Sequence, residues 1–374
     1  MTDTTPTRPT LREDLSTMPE NHLDVVVAPG SIDENRAASL RTRITAIISM
    51  PLFFLLAFTI CYVSAAHAPV PHDLALTLAG PRTVTSELAD AINDKAPGAF
   101  DITQTTTSAT ARDAVAQRDA VGALLIDGTD VTTIVASGGG ALAVQTVTTA
   151  GQQVAAELGG NATVENVAPL PSDDPGGSIL FLFLVICTVG AFLAVTGITQ
   201  AFPKARARAM VLTAAGAAAI VPVIGFSLIS VYVDYEVSFG TVAALLGIGM
   251  LYTFTIGLIA TVLTLLLGQA AILGEILVLV ALNFPSAGGS VPESMLPPFW
   301  QVVHSIWVGS AGFEAMRGVM FFDGNQVAPW LLQLVIWTVA ALLLTLLIAF
   351  SRRKRDRRAT PDTVLELSAS PAAL

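Results

Sequence analysis

One apolar stretch, residues 44–66, is followed by a polar insert, 67–177, and then by a train of further apolar stretches. A hydrocarbon core about 30 Å thick is crossed by roughly 20 apolar helical residues. Segments 44–66, 179–199 and 209–232 meet that length as the first three spans. The run 241–283 is too long for one helix and divides near Gly268 and Gln269 into a fourth and a fifth, and 329–350 supplies a sixth. Hydrophobic residues make up 53% of the chain and charged residues 13%, against about 25% charged in soluble domains, so a large water-soluble core is excluded. The expected fold is a polytopic α-helical membrane protein with six transmembrane helices and a small external α/β domain between the first two.

The cations predict the orientation, because Lys and Arg beside a span stay on the cytoplasmic side while acids contribute little. Arg36, Arg41 and Arg43 precede the first span, Lys204, Arg206 and Arg208 separate the second from the third, and Arg352, Arg353, Lys354, Arg355, Arg357 and Arg358 follow the sixth. Both termini are therefore expected in the cytoplasm of a cell-membrane protein, as a tail at 1–43 and a basic tail at 351–374. The tail at 1–43 is polar throughout, unlike a signal peptide, whose apolar region lies within the first 15–30 residues. The insert, with four cations and thirteen acids, and the loop carrying Asp234 and Glu236 are expected outside. Cys61 and Cys187 fall inside spans and read as apolar packing residues.

The insert patterns as alternating strands and helices. Leu74, Leu76 and Leu78 alternate with small or polar residues as in a strand, and Val84, Leu88, Ala91 and Ile92 share a helical face that Pro97 closes. Strands at 100–104, 121–126 and 131–136, a helix at 109–118 and a helix carrying Val144, Val147, Val154 and Leu158 complete a small covered sheet. Pro171, Pro175, Gly176 and Gly177 lead into the second span.

Enzyme signatures are missing: the chain holds no H-E-x-x-H, C-x-x-C or G-x-S-x-G. Gly138 to Gly140 has no following Lys and reads as a turn rather than a phosphate cradle. The three lysines, Lys95, Lys204 and Lys354, do not sit in a P-loop, so the chain is expected to bring no nucleotide site, cofactor or metal of its own. Proton coupling needs ionisable groups in the bundle. The first four spans carry none, which argues against a proton-driven RND-like half transporter, and Glu275 in the fifth is the one deep carboxyl.

Residues 283–322 run NFPSAGGSVPESMLPPFWQVVHSIWVGSAGFEAMRGVMFF. Gly288, Gly289, Pro292, Leu296, Pro297, Pro298, Phe299, Arg317 and Gly318 resemble the end of a type-2 ABC-transporter permease of the YhgE/Pip-like branch, in which a Gly-Gly-x-x-Pro segment precedes a Leu-Pro-Pro-Phe helix and a closing Arg-Gly. The resemblance extends over 44–350. It implies six spans, a dimer of permeases and outward movement of an amphipathic or hydrophobic substrate by a separate ATPase, which docks on the tail before the first span and on the loop holding Lys204, Arg206 and Arg208. Residues 33–43 are expected to form a short helix on the inner surface beside that contact. Gly190, Gly197, Gly216, Gly247 and Gly249 offer places for close helix approach. A different class, a non-transporting envelope scaffold or receptor anchored by its spans, fits the same layout.

Segment 285–328 is too polar to span, yet Phe299, Trp300, Trp307, Phe313, Phe321 and Phe322 suit the membrane interface, so a re-entrant segment on the external side is expected. Glu314 and Arg317 are three apart on a helix and can pair. With His304 they form an external gate or a structural ion pair. The acidic balance resides mostly in the insert and is evidence neither for nor against a nucleic-acid partner, and no such partner is expected.

Overall fold

The computed structural model describes residues 29–203, 205–289 and 291–358. Two compact units divide between Pro51 and Leu52. Helix α1 (Pro29–Ala66) contains Pro51, which has no amide to donate to the helical ladder. The first unit's described part, 29–51, is thus helical throughout, including 33–43, for which a short separate helix is expected. Residues 1–28 and 359–374 of the two tails lie outside the described residues, as do Lys204 and Ser290.

In the second unit the insert is an α/β domain. Strands β1 (Leu74–Ala79), β2 (Phe100–Thr105), β3 (Gly122–Asp127), β4 (Asp130–Val135) and β5 (Ala162–Asn166) form one sheet in the order β2-β1-β3-β4-β5. β1 runs parallel to β2 and β3, β3 and β4 form an antiparallel hairpin, and β5 returns parallel to β4. Helices α2 (Arg82–Lys95), α3 (Ser108–Ala116) and α4 (Ala141–Leu158) cover it. The period-2 pattern puts Leu74, Leu76, Leu78 and Leu124 into one core with Leu88, Val147 and Val154, while Ala123 and Ile134 join Ala111 and Val115 of α3 in another. The sequence pattern does not anticipate β5. It is a short edge strand whose residues are mostly exposed, so it has no apolar face to betray it.

Among the described residues five helices are long and apolar enough to cross a membrane, over Ile48–Ala66, Ser178–Ala201, Ala207–Ile229, Phe239–Leu267 and Val327–Arg352. They correspond to part of α1, to α5 (Ser178–Ala201), α6 (Ala207–Ile229), α7 (Phe239–Leu267) and part of α12 (Val327–Arg358). The break near Gly268 is present, and that glycine takes φ +57° after the last turn of α7. The expected fifth span differs from the sequence reading. It is a short apolar helix, Ala271–Ser286, about 24 Å long at the helical rise. It is built from α8 (Ala271–Glu275), a π-helical stretch Ile276–Ala281 and α9 (Asn283–Ser286).

After paired left-handed glycines, Gly288 and Gly289, the chain forms a hairpin of two short helices, α10 (Pro298–Ile306) and α11 (Val308–Phe321), before α12. Extended Trp307 divides them. Of the glycines expected to admit close approach, Gly190 and Gly249 do so: a Cβ there would lie 2.6 Å from Val221 and 3.2 Å from Phe183. Gly197, Gly216 and Gly247 face open space.

Candidate functional site

Helix α11 carries Glu314 and Arg317 one turn apart, and their side chains are only 5% and 6% exposed. Arg317 Nη1 donates to Glu314 Oε1 over 2.7 Å, as the three-residue spacing predicts. The second carboxylate oxygen is taken by a residue that the sequence reading does not single out, Arg118 of the α/β domain, whose Nη2 donates to Glu314 Oε2. Glu314 therefore bridges two guanidiniums from different parts of the chain. Arg317 also donates to the Gly289 carbonyl and lies 4.4 Å from the Phe313 ring centroid, while Arg118 stacks 5.1 Å over Phe322. Burial by itself disfavours the carboxylate. The charges of Arg317, Arg118 and His304 outweigh it and hold the Glu314 carboxyl below the usual carboxylate range.

Arg118 is positioned by its turn. It follows α3 with φ +67°, a left-handed conformation uncommon for a side chain larger than glycine. The turn is held from the other side of the contact, where Asn325 Nδ2 donates to the Ala116 carbonyl and Gln326 Nε2 donates to the Arg118 carbonyl and to Asp119 Oδ1. Gly138, in the turn predicted from the glycine run, packs here too: a Cβ would lie 2.5 Å from Phe321 Cβ. The α/β domain is thus seated on the end of α11 by one ion pair, side-chain amides and a close backbone approach.

His304 is buried on α10, with Nδ1 2.7 Å from the Ser286 carbonyl, Nε2 3.8 Å from Glu293 Oε2 and its ring edge-on to Trp330. It does not bond Glu314 or Arg317, yet all three line one cavity of about 400 Å³ with Arg118, Asp73 and Glu293. An apolar cleft of about 570 Å³ is lined by Tyr62 of α1, Phe181 of α5, Phe284, Pro285 and both glycines of the turn.

The residues that carry the family resemblance shape this hairpin. Gly288 and Gly289 make the left-handed turn, Pro292 precedes a 3₁₀ turn at Glu293–Met295, and Pro297 and Pro298 open α10. Leu296 is buried against Ala65 and Trp300, whereas Phe299 is exposed. A Cβ at Gly318 would lie 2.6 Å from Val327 Cγ2 and 3.0 Å from the Asn325 carbonyl.

Beneath the hairpin, Tyr252 Oη of α7 lies 2.7 Å from Thr188 Oγ1 of α5 and accepts from Asn283 Nδ2 over 2.8 Å. At the opposite end of these helices, Arg206 in the α5–α6 connection and Arg208 in the first turn of α6 are exposed, as are Phe202 and Pro203. The third cation expected there, Lys204, lies outside the described residues. No protein-family model, curated protein or solved structure matches the chain.

Proposed function

We propose that the protein is the membrane subunit of a type-2 ABC-like exporter, crossing the membrane six times with Ala271–Ser286 as the short fifth crossing. Its α/β domain lies outside, and both its termini and the α5–α6 connection lie in the cytoplasm. The observation that carries the reading is the division of labour between the two ends of α5 to α7. One end holds the α/β domain, the charged cavity and the hairpin formed by the permease-like residues, while the other offers Phe202, Pro203, Arg206 and Arg208 to a partner. An apolar cleft beside a charged cavity suits an amphipathic substrate, with its apolar part between α1 and α5 and its polar part near Arg118 and Glu293. Glu314, Arg317 and Arg118 hold the domain against the hairpin as an external gate. Energy comes from a separate ATPase, and the permease works as a dimer.

Reversing Arg206 and Arg208 to Glu, together with Lys204, is expected to abolish recovery of an ATPase subunit on mild extraction. Because the same cations set topology, the variant is first mapped by labelling in a background with Cys61 and Cys187 replaced. A cysteine at exposed Thr129 in the β3–β4 hairpin reacts with an impermeant thiol reagent in intact cells, and one at Ser351 does not. Correct insertion with undiminished ATPase recovery refutes the docking surface. If the wild type recovers no ATPase, the scaffold reading replaces transport.

A further inference from the structure

Glu275 is used by neither the charged cavity nor the docking surface, yet it is one of the most deeply buried polar groups in the chain, 1% exposed at the end of α8. Three segments meet at its carboxyl. Thr196 Oγ1 of α5 lies 2.7 Å from Oε2, Thr264 Oγ1 of α7 lies 3.2 Å from Oε1, and the π-helical stretch begins at the next residue. Val195, Leu265 and Ile276, the chain neighbours of Thr196, Thr264 and Glu275, and Ala271, one turn earlier on α8, are buried and apolar. Among the described residues no cation lies within ion-pair distance.

The titratable groups on the packed elements are few. Helix α5 carries Cys187, α7 carries Tyr252, and neither bonds Glu275: Tyr252 is engaged by Thr188 and Asn283. Among the described residues, Arg352 of α12 donates its guanidinium to the Leu265 carbonyl, one residue from Thr264. Arg206 and Arg208 at the start of α6 are exposed. Among the described residues an ionised carboxylate here has only two neutral hydroxyls as partners, less than a buried charge requires, whereas the carboxylic acid carries no charge.

We propose that Glu275 is a proton-binding site at the basic end of the bundle, joining α5, α7 and the π-helical stretch when loaded. Loading forms one O–H bond on a carboxyl oxygen at the expense of a hydronium, which returns to water, and involves no change of oxidation state. In the loaded state the carboxyl O–H donates to one threonine hydroxyl and the other oxygen accepts from the second. Unloading reverses the direction of one of these bonds, so that both threonine hydroxyls donate to the carboxylate, and it places a negative charge where α8 meets the bundle. A π-helical stretch, with its i to i+5 bond from Leu282 N to the Leu277 carbonyl, is the local geometry able to absorb such a change. The site does not depend on the identity of the energy source.

Infrared spectroscopy of the full chain in lipid nanodiscs tests this directly. At neutral pH the wild type is expected to show the carbonyl stretch of a protonated carboxylic acid, shifted in heavy water and lost in Glu275→Gln. The doubly substituted Thr196→Val/Thr264→Val protein is expected to keep the band at higher frequency, as weaker hydrogen bonding requires. A wild type without the band overturns the proposal, as does a band that survives Glu275→Gln or fails to move in the double valine protein. Loss of the band on adding sodium at constant pH overturns it in favour of a metal cation.

Discussion

Glu314→Ala is expected to be the most damaging single substitution among the charged residues, costing roughly 3–5 kcal/mol of stability, because it leaves buried charge without a partner. Arg118 and Arg317 are 16% and 6% exposed at the side chain, and Glu314 is the acid that pairs with both. Arg118→Ala should cost less, since Arg317 still neutralises the carboxylate 2.7 Å away. The Glu314→Ala/Arg317→Ala double substitution should lose less than the sum of its parts, by about 0.5–3 kcal/mol, as residues of one charge network do. Thermal unfolding of the purified variants in one detergent measures all three differences. Strict additivity, or an Arg118→Ala protein less stable than Glu314→Ala, refutes the bridging role. The sign with pH follows from the same geometry. The folded-state carboxyl titrates below its unfolded value, so its contribution is complete above the ordinary carboxylate range and is lost as pH falls through the depressed folded value.

The second large effect is expected where α11 rests on the spans. A Cβ at Gly312 would lie 2.5 Å from Tyr252 Cδ2, and one at Gly309 would lie 2.5 Å from Asn283 Oδ1 and 2.6 Å from its backbone carbonyl. Gly312→Ala and Gly309→Ala therefore force either the helix or the Thr188–Tyr252–Asn283 network to move, at about 1–3 kcal/mol each. Gly309 is the more severe, because its nearest neighbours include backbone that no rotamer change can clear. Gly247→Ala, with nothing within 4 Å of its Cβ, is the matched control and should be neutral. Unfolding midpoints of the three variants decide the matter. Equal stability of Gly309→Ala and Gly247→Ala would refute the close seating of α11.

What was readable in advance follows the range of the interactions. The Glu314–Arg317 pair is written in a three-residue spacing, and the strands carrying Leu74, Leu76, Leu78 and Leu124 in a period of two. Arg118 reaches Glu314 across 196 positions, and no local periodicity records such a contact. Its only trace is that the insert contains four cations, too weak to select one of them. His304 is recognisable as a polar residue near the pair in sequence, but its partners, the Ser286 carbonyl at the end of α9 and Glu293 in the 3₁₀ turn, flank a turn formed by two left-handed glycines. The length of the fifth apolar segment was likewise hidden, because hydropathy counts apolar residues and does not mark where a helix of those residues begins, widens or stops.

By itself the sequence determined that the chain is a helical membrane protein interrupted by an α/β domain, because transfer of apolar side chains and satisfaction of backbone hydrogen bonds are local requirements that each segment meets alone. Only the tertiary structure decided that Arg118 shares Glu314 with Arg317, that Gly309 and Gly312 admit Asn283 and Tyr252, and that Glu275 meets two threonines without a cation. These are pairings between distant segments. Their energies exist only once packing has brought the partners within a few ångströms and removed the water between them.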